Sequence, residues 1–70
     1  MINLTERECE VLYCIVLGKS NAEIAKTLFI TRHTVKAHVS SILDKLGAKN
    51  RVEAAVKAVR AGMREFKPGK

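Results

Sequence analysis

The sequence predicts an all-α domain of four short helices, the middle two forming a helix-turn-helix, and three observations carry that reading. Apolar residues recur at helical rather than alternating spacing through most of the 70 residues. Thr5, Ser20, Thr31 and Asn50 each stand just before such a stretch, where a side-chain oxygen can accept from the unpaired amides of a first helical turn. Gly18, Gly47 and Gly62 stand just after three of the stretches, where a left-handed residue ends a helix.

Helix one is expected over about Glu6 to Leu17. Thr5-Glu-Arg-Glu8 is a capping box, and Leu4 can staple across it onto Cys9 or the residue before it. Val11, Leu12, Ile15 and Val16 form the inward stripe. Glu6, Glu8 and Glu10 lie where the helix dipole favours negative charge, so they are read as helix-start and solvated charges, not as catalytic carboxylates. Helix two is expected over about Asn21 to Leu28, capped by Ser20 with Glu23 and turning Ile24, Ala25 and Leu28 inward. Leu28, Phe29 and Ile30 are too few for a strand, and they are expected to form a buried corner between crossing helices.

Helix three, about Arg32 to Leu46, has two unlike sides. With about 100° per residue, Val35, Val39, Ile42 and Leu46 share one side, while His33, Ala37, Ser40 and Asp44 fall opposite and Lys36 and Ser41 flank them. The outer side holds no large apolar residue and is basic toward its start, so a duplex could approach it closely.

Helix four is expected over about Arg51 to Ala61, opened by Asn50 with Glu53. It is apolar around most of its circumference: Val52, Ala55, Val56 and Val59 form one face, and Ala54, Ala58 and Ala61 a second. Glu53, Lys57 and Arg60 leave only a narrow polar strip. Two apolar faces imply two packing partners, the domain's own core and another subunit. The whole chain, 1–70, is expected to be one domain with its core over about 4–62 and a flexible tail over 63–70.

Composition narrows the function. Thirteen Lys and Arg against seven Asp and Glu give a formal charge of +6, which favours an anionic partner. The longest apolar run, Val11 to Leu17, is too short to span a membrane, and no secretory signal is seen, so a cytoplasmic chain is expected. Cys9 and Cys14 are five residues apart on one helix and point apart, so they are read as reduced thiols. His33 and His38 lack partner ligands at metal-binding spacing, and no metal or other cofactor is expected. No nucleophile, base and orienting group converge and no glycine-rich phosphate loop occurs, which argues against an enzyme.

LTERECEVL, GKSNAEIAKTLFIT and HTVKAHVSSILDKLGAKNRVEAA together resemble the DNA-binding domain of the LuxR/NarL/GerE family of bacterial transcription regulators, over about Leu4 to Gly62. The resemblance implies double-stranded DNA as partner, helix three in the major groove, and a homodimer formed through helix four. It places base contacts on Lys36, Ala37 and Ser40, to which the outward position adds His33. It places phosphate contacts on Ser20, Asn21, Thr31, Arg32 and Thr34, with Ser41, Lys45, Lys49 and Arg51 farther along. Val52, Ala55, Val56 and Val59 become the dimer interface. The family implies either a response-regulator output domain, whose N-terminal regulatory domain lies outside this chain, or a stand-alone GerE-like regulator. Two rival readings are a promoter-reading region of a sigma factor, which would not normally carry the fourth helix, and a helical protein-interaction adaptor that has lost DNA binding.

Overall fold

The computed structural model describes residues 3–63 of the chain. Four helices follow one another, α1 over Glu6–Val16, α2 over Asn21–Leu28, α3 over Arg32–Leu46 and α4 over Arg51–Arg60. They match the expected helices to within a residue at each end. Of the expected tail, only Met63 falls within the described residues, and it packs against the core.

Each helix starts at the predicted cap, and at α4 the expected box with Glu53 does not close. The Thr5 hydroxyl accepts from the Glu8 amide at 3.1 Å while the Thr5 amide donates to Glu8 Oε1 at 2.9 Å, which closes a capping box. Ser20 and Glu23 repeat it at the start of α2. Thr31 accepts from the Thr34 amide at 3.1 Å, and the two hydroxyls share a further hydrogen bond of 2.9 Å. At α4, Asn50 accepts from the Glu53 amide, but the Glu53 carboxylate takes the amide of Lys49 instead of Asn50. Such caps matter here because a chain this short forms little core with which to hold a frayed helix.

All four helices also end alike. The amides of Lys19, Ile30, Ala48 and Met63 donate to the carbonyls of Cys14, Ala25, Leu43 and Ala58, each at 3.0 Å, which is the long hydrogen bond of a Schellman ending. Such an ending requires a left-handed residue. Gly18, Gly47 and Gly62 supply it three times, and Phe29, at φ 59°, supplies it between α2 and α3.

That geometry corrects the expected buried corner. Leu28 and Ile30 do pack on the core, but Phe29 between them is 93% exposed, because the left-handed backbone turns its side chain outward. The turn is held by its backbone hydrogen bond and by the residues on either side of the aromatic ring.

The core is assembled from one face of each helix. Val11, Leu12 and Ile15 of α1, Ile24 and Ala25 of α2, Val35 and Ile42 of α3, and Ala54 and Ala58 of α4 are buried together. α1 packs on α3 and α4, α2 on α3, and α3 on α4, so α3 touches every other helix. Alanine on the inner face of α4 lets that helix lie close to the core, and it leaves the bulkier valines on the other side. Ala61, grouped in sequence with those alanines, lies past the end of α4 and is exposed.

Phe29→Gly is expected to stabilise the chain by about 0.5–1 kcal/mol, since glycine relieves a left-handed strain of about 1–2 kcal/mol at some cost in unfolded-state entropy. Urea denaturation of the variant beside the wild type measures this. A loss of stability would mean that the ring contributes packing that its exposure does not reveal.

Candidate nucleic-acid interface

α3 separates its two sides cleanly. Val35 and Ile42 are fully buried, whereas His33, Lys36, Ala37 and Ser40 are all exposed and share the outer side. Arg32 is exposed beside them, and Thr34, half-buried, is held by the Thr31 cap. This face presents one long cation, one imidazole, a methyl group and a hydroxyl on a rigid support. Those are the groups that meet base edges in a major groove, where a side chain must reach without a bulky neighbour in its way.

The back of α3 is held by a buried carboxylate. Glu8, only 5% exposed, accepts from Ser41 Oγ at 2.6 Å and from Lys45 Nζ at 2.7 Å, in addition to the Thr5 amide of its own cap. Lys45 also donates to the Asn3 carbonyl at 3.3 Å. The hydrogen bond from Lys45, followed by those from Ser41 and the Thr5 amide, lowers the Glu8 pKa to about 2 against the opposing effect of burial. The expectation that all three early acids are solvated is therefore wrong for Glu8. It both completes the α1 cap and ties α1 to the rear of α3. Ser41 and Lys45, one helical turn apart, were the sequence signal that could have shown a shared anionic partner.

These contacts sort the expected phosphate-binding residues. Ser20, Thr31, Arg32 and Lys49 are exposed. Ser41 gives its single hydroxyl proton to Glu8, which is acceptor-only when ionised, so the expectation that Ser41 donates to a phosphate conflicts with the fold. Lys45 is tied to Glu8 and Asn3, yet its side chain remains 37% exposed, and a lysine has a third donor. Arg51 and Asn21 bind each other: Arg51 Nη1 donates to Asn21 Oδ1 at 2.6 Å, and Nη2 donates to the Lys19 carbonyl at 2.7 Å. Sequence reasoning missed this link, which joins residues thirty apart and has no local pattern.

On α4, Val52, Val56 and Val59 are 69%, 42% and 46% exposed, with half-buried Ala55 beside them. Their spacing of four and then three residues makes one continuous apolar strip on the side away from the core. Cys14 is buried and Cys9 half-buried, both as free thiols. Burial raises both pKa values, and for Cys9 the neighbouring Glu8, Glu6 and Glu10 add to the effect, so neither is an activated thiolate. Among the described residues no cluster of ligands suited to a metal occurs, and no helix is long and apolar enough to cross a membrane.

A helix-turn-helix with its second helix bare in front and buttressed behind defines a DNA-binding domain of the transcription-regulator class. Comparison with known proteins places it more closely. Residues 2–58 match the model of bacterial regulatory proteins of the luxR family, GerE, and the chain belongs to that family. It is 48% identical over 66 residues to the transcriptional regulatory protein LnrK of Bacillus subtilis, covering 94% of this chain and 30% of LnrK. It is 45% identical to the spore germination protein GerE of the same organism, covering 90% of this chain and 85% of GerE. Among solved structures, VqmA of Vibrio cholerae in a ligand–DNA complex superposes with a TM-score of 0.85 at 31% identity, over 89% of this chain and 27% of VqmA. The chain thus spans most of GerE but less than a third of the length of LnrK and of VqmA.

The Glu8 brace makes the fold acid-sensitive in a defined way. Its folded-state pKa lies below the usual value of 4.5, so the unfolded chain takes up the proton first as pH falls. The contribution, on the order of 3 kcal/mol, is complete above about pH 5.5 and is lost as the pH falls from there through about 2. Stability measured from pH 7 to pH 2 should therefore decline more steeply for the wild type than for Glu8→Gln, which begins less stable at pH 7. Parallel curves for the two proteins would remove Glu8 as the acid-sensitive group.

Proposed function

We propose that this chain binds double-stranded DNA with sequence preference, as a dimer, in the manner of a bacterial transcription regulator, with α3 in the major groove. The observation that carries the reading is the exposed set Lys36, Ala37, Ser40 and His33, opposite the buried Val35 and Ile42 of the same helix. Lys36 reaches guanine O6 and N7, Ala37 meets a thymine methyl, and Ser40 and His33 are short hydrogen-bonding groups at the groove edge. Ser20, Thr31, Arg32, Thr34 and Lys49, with the third donor of Lys45, meet the phosphates that set the register of the helix. Membership in the luxR family and the likeness to a structure solved with DNA support the same assignment.

The valine strip of α4 is proposed as the subunit junction. It is the exposed apolar strip of a helix whose other face is already used by the core, and two copies meeting through it would present two reading helices to two half-sites. A junction of a few small side chains buries little area, so free dimerisation is expected at roughly micromolar affinity or weaker, with DNA reinforcing it. The chain's place in a full regulator follows one of two patterns: an output domain beneath a regulatory domain, as the short coverage of LnrK suggests, or a stand-alone regulator on the scale of GerE.

Two substitutions separate base reading from backbone binding. Lys36→Ala should cost about 1–3 kcal/mol on the preferred duplex and flatten discrimination at one base pair. Lys49→Ala should weaken every duplex alike and make the salt dependence shallower by about one unit of slope. Titration of both variants against the preferred duplex and its single-base variants measures this, and an equal loss on all duplexes for Lys36→Ala would make that residue a phosphate contact.

The junction has its own test. Val56→Asp should leave the monomer folded, because the side chain points away from the core, and should abolish two-subunit binding to a paired site. Gel-shift stoichiometry and circular dichroism together decide it. A folded variant that still forms the two-subunit complex with unchanged affinity would rule out α4 as the junction.

A further inference from the structure

Arg51, the first residue of α4, reaches back across the fold to the start of α2. Its two hydrogen bonds, to the Asn21 side chain and the Lys19 carbonyl, grip the chain on both sides of the Ser20 cap. Arginine carries donors and no acceptor. The Asn21 atom that it meets is therefore the oxygen, and the amide nitrogen of Asn21 is turned away from Arg51, donating to no described residue. Asn21 is the first residue of α2 and only half-buried, so that nitrogen sits at a helix start with access to solvent. α2 packs on α3 and has at most a marginal contact with α4, so the Arg51 fork directly links two helices that otherwise meet mainly through α3 and the common core.

We propose that Arg51 is a positioning residue for DNA binding, fixing the Asn21 amide so that it donates to a backbone phosphate while anchoring the start of the dimer helix to that same point. The proposal rests on the reading that this chain binds duplex DNA. Arg51 commits two of its donors to a neutral amide and a neutral carbonyl, and its part in the contact is to hold Asn21. The consequence is geometric: the guanidinium adds a direct tie between the start of the dimer helix and the backbone contact, beside the indirect one through α3.

The test uses the 70-residue chain and a duplex recovered by selection from a random pool. Asn21→Ala, Arg51→Lys and the double variant are titrated against it, with thermal melts to confirm folding. Arg51→Lys keeps the charge and removes the fork. Each single change should weaken binding about five- to tenfold, by the same factor on every single-base variant of the duplex. The double variant should bind no more weakly than the poorer single, because both changes remove one coupled contact. Asn21→Asp keeps the acceptor that Arg51 grips, so it holds the fold, but it replaces the donor with a second anionic oxygen and should bind DNA more weakly than Asn21→Ala.

Wild-type affinity in Arg51→Lys, or a double-variant loss equal to the product of the two single losses, would overturn the positioning role. Unchanged affinity in both Asn21 variants would overturn the phosphate contact. A wild-type chain that enriches no duplex at all would instead sink the DNA-binding reading on which the proposal stands, a result distinct from either of these.

Discussion

The structure depends on a constraint at α3: a helix whose front must stay bare has to be held entirely from behind. Over the fifteen residues of α3 only Val35 and Ile42 are fully enclosed, with Val39, Leu43 and Leu46 partly covered. Apolar burial of that extent fixes where the helix lies better than how it is rotated, because the hydrophobic effect has no direction. The Glu8 carboxylate supplies direction. Its hydrogen bonds to Ser41 and Lys45 grip two successive turns of the C-terminal half, while Thr31 caps the N-terminal end. The hydrogen bonds of Glu8 outweigh the cost of burying the carboxylate, so the pair adds to stability as well as to direction. It also fixes rotation, and rotation sets the direction in which Lys36 and Ser40 point from the outer side.

The remainder of the fold works by repetition. Side-chain caps start every helix, a Schellman ending closes every helix, and the loops between are consequently almost nothing but cap residues. Loops this tight leave little chain to order beyond the helices themselves, which suits a domain too small to bury much surface. The asymmetry of α4 completes the division of labour. Alanines face the core, where close approach is needed, and valines face outward, where a second copy would have to be met.

Much of this was legible in the sequence because it is local. A hydroxyl three residues before a carboxylate, a glycine after an apolar stripe, and the 3.6-residue period each act within one helix, so the bounds of all four helices and the two-faced character of α3 and α4 could be read directly. What escaped was of three kinds. Glu8 was masked by its own local explanation: a residue that completes a capping box needs no second role, and nothing nearby in sequence marks its bonds to residues beyond position 40. Arg51 was masked by composition, since a basic residue in a chain of charge +6 reads first as a phosphate contact, and nothing local marks the bond that its guanidinium makes to Asn21. Phe29 belongs to a third case. Its apolar neighbours suggested burial, but the hand of the backbone, which sequence specifies clearly only when glycine is present, turned it to solvent.

Methylation interference with dimethyl sulfate is the sharpest test of the proposed entry of the outer face of α3 into the major groove. The reagent modifies guanine N7 in the major groove and adenine N3 in the minor groove of the same duplex, so one gel reports both. With α3 in the groove, methylation at guanine N7 should block binding in two clusters with centres about one helical turn apart, roughly 10 base pairs, as a symmetric pair of reading helices requires. Interference confined to adenine N3, or no interference at any base in a duplex that the chain still binds tightly, would contradict it.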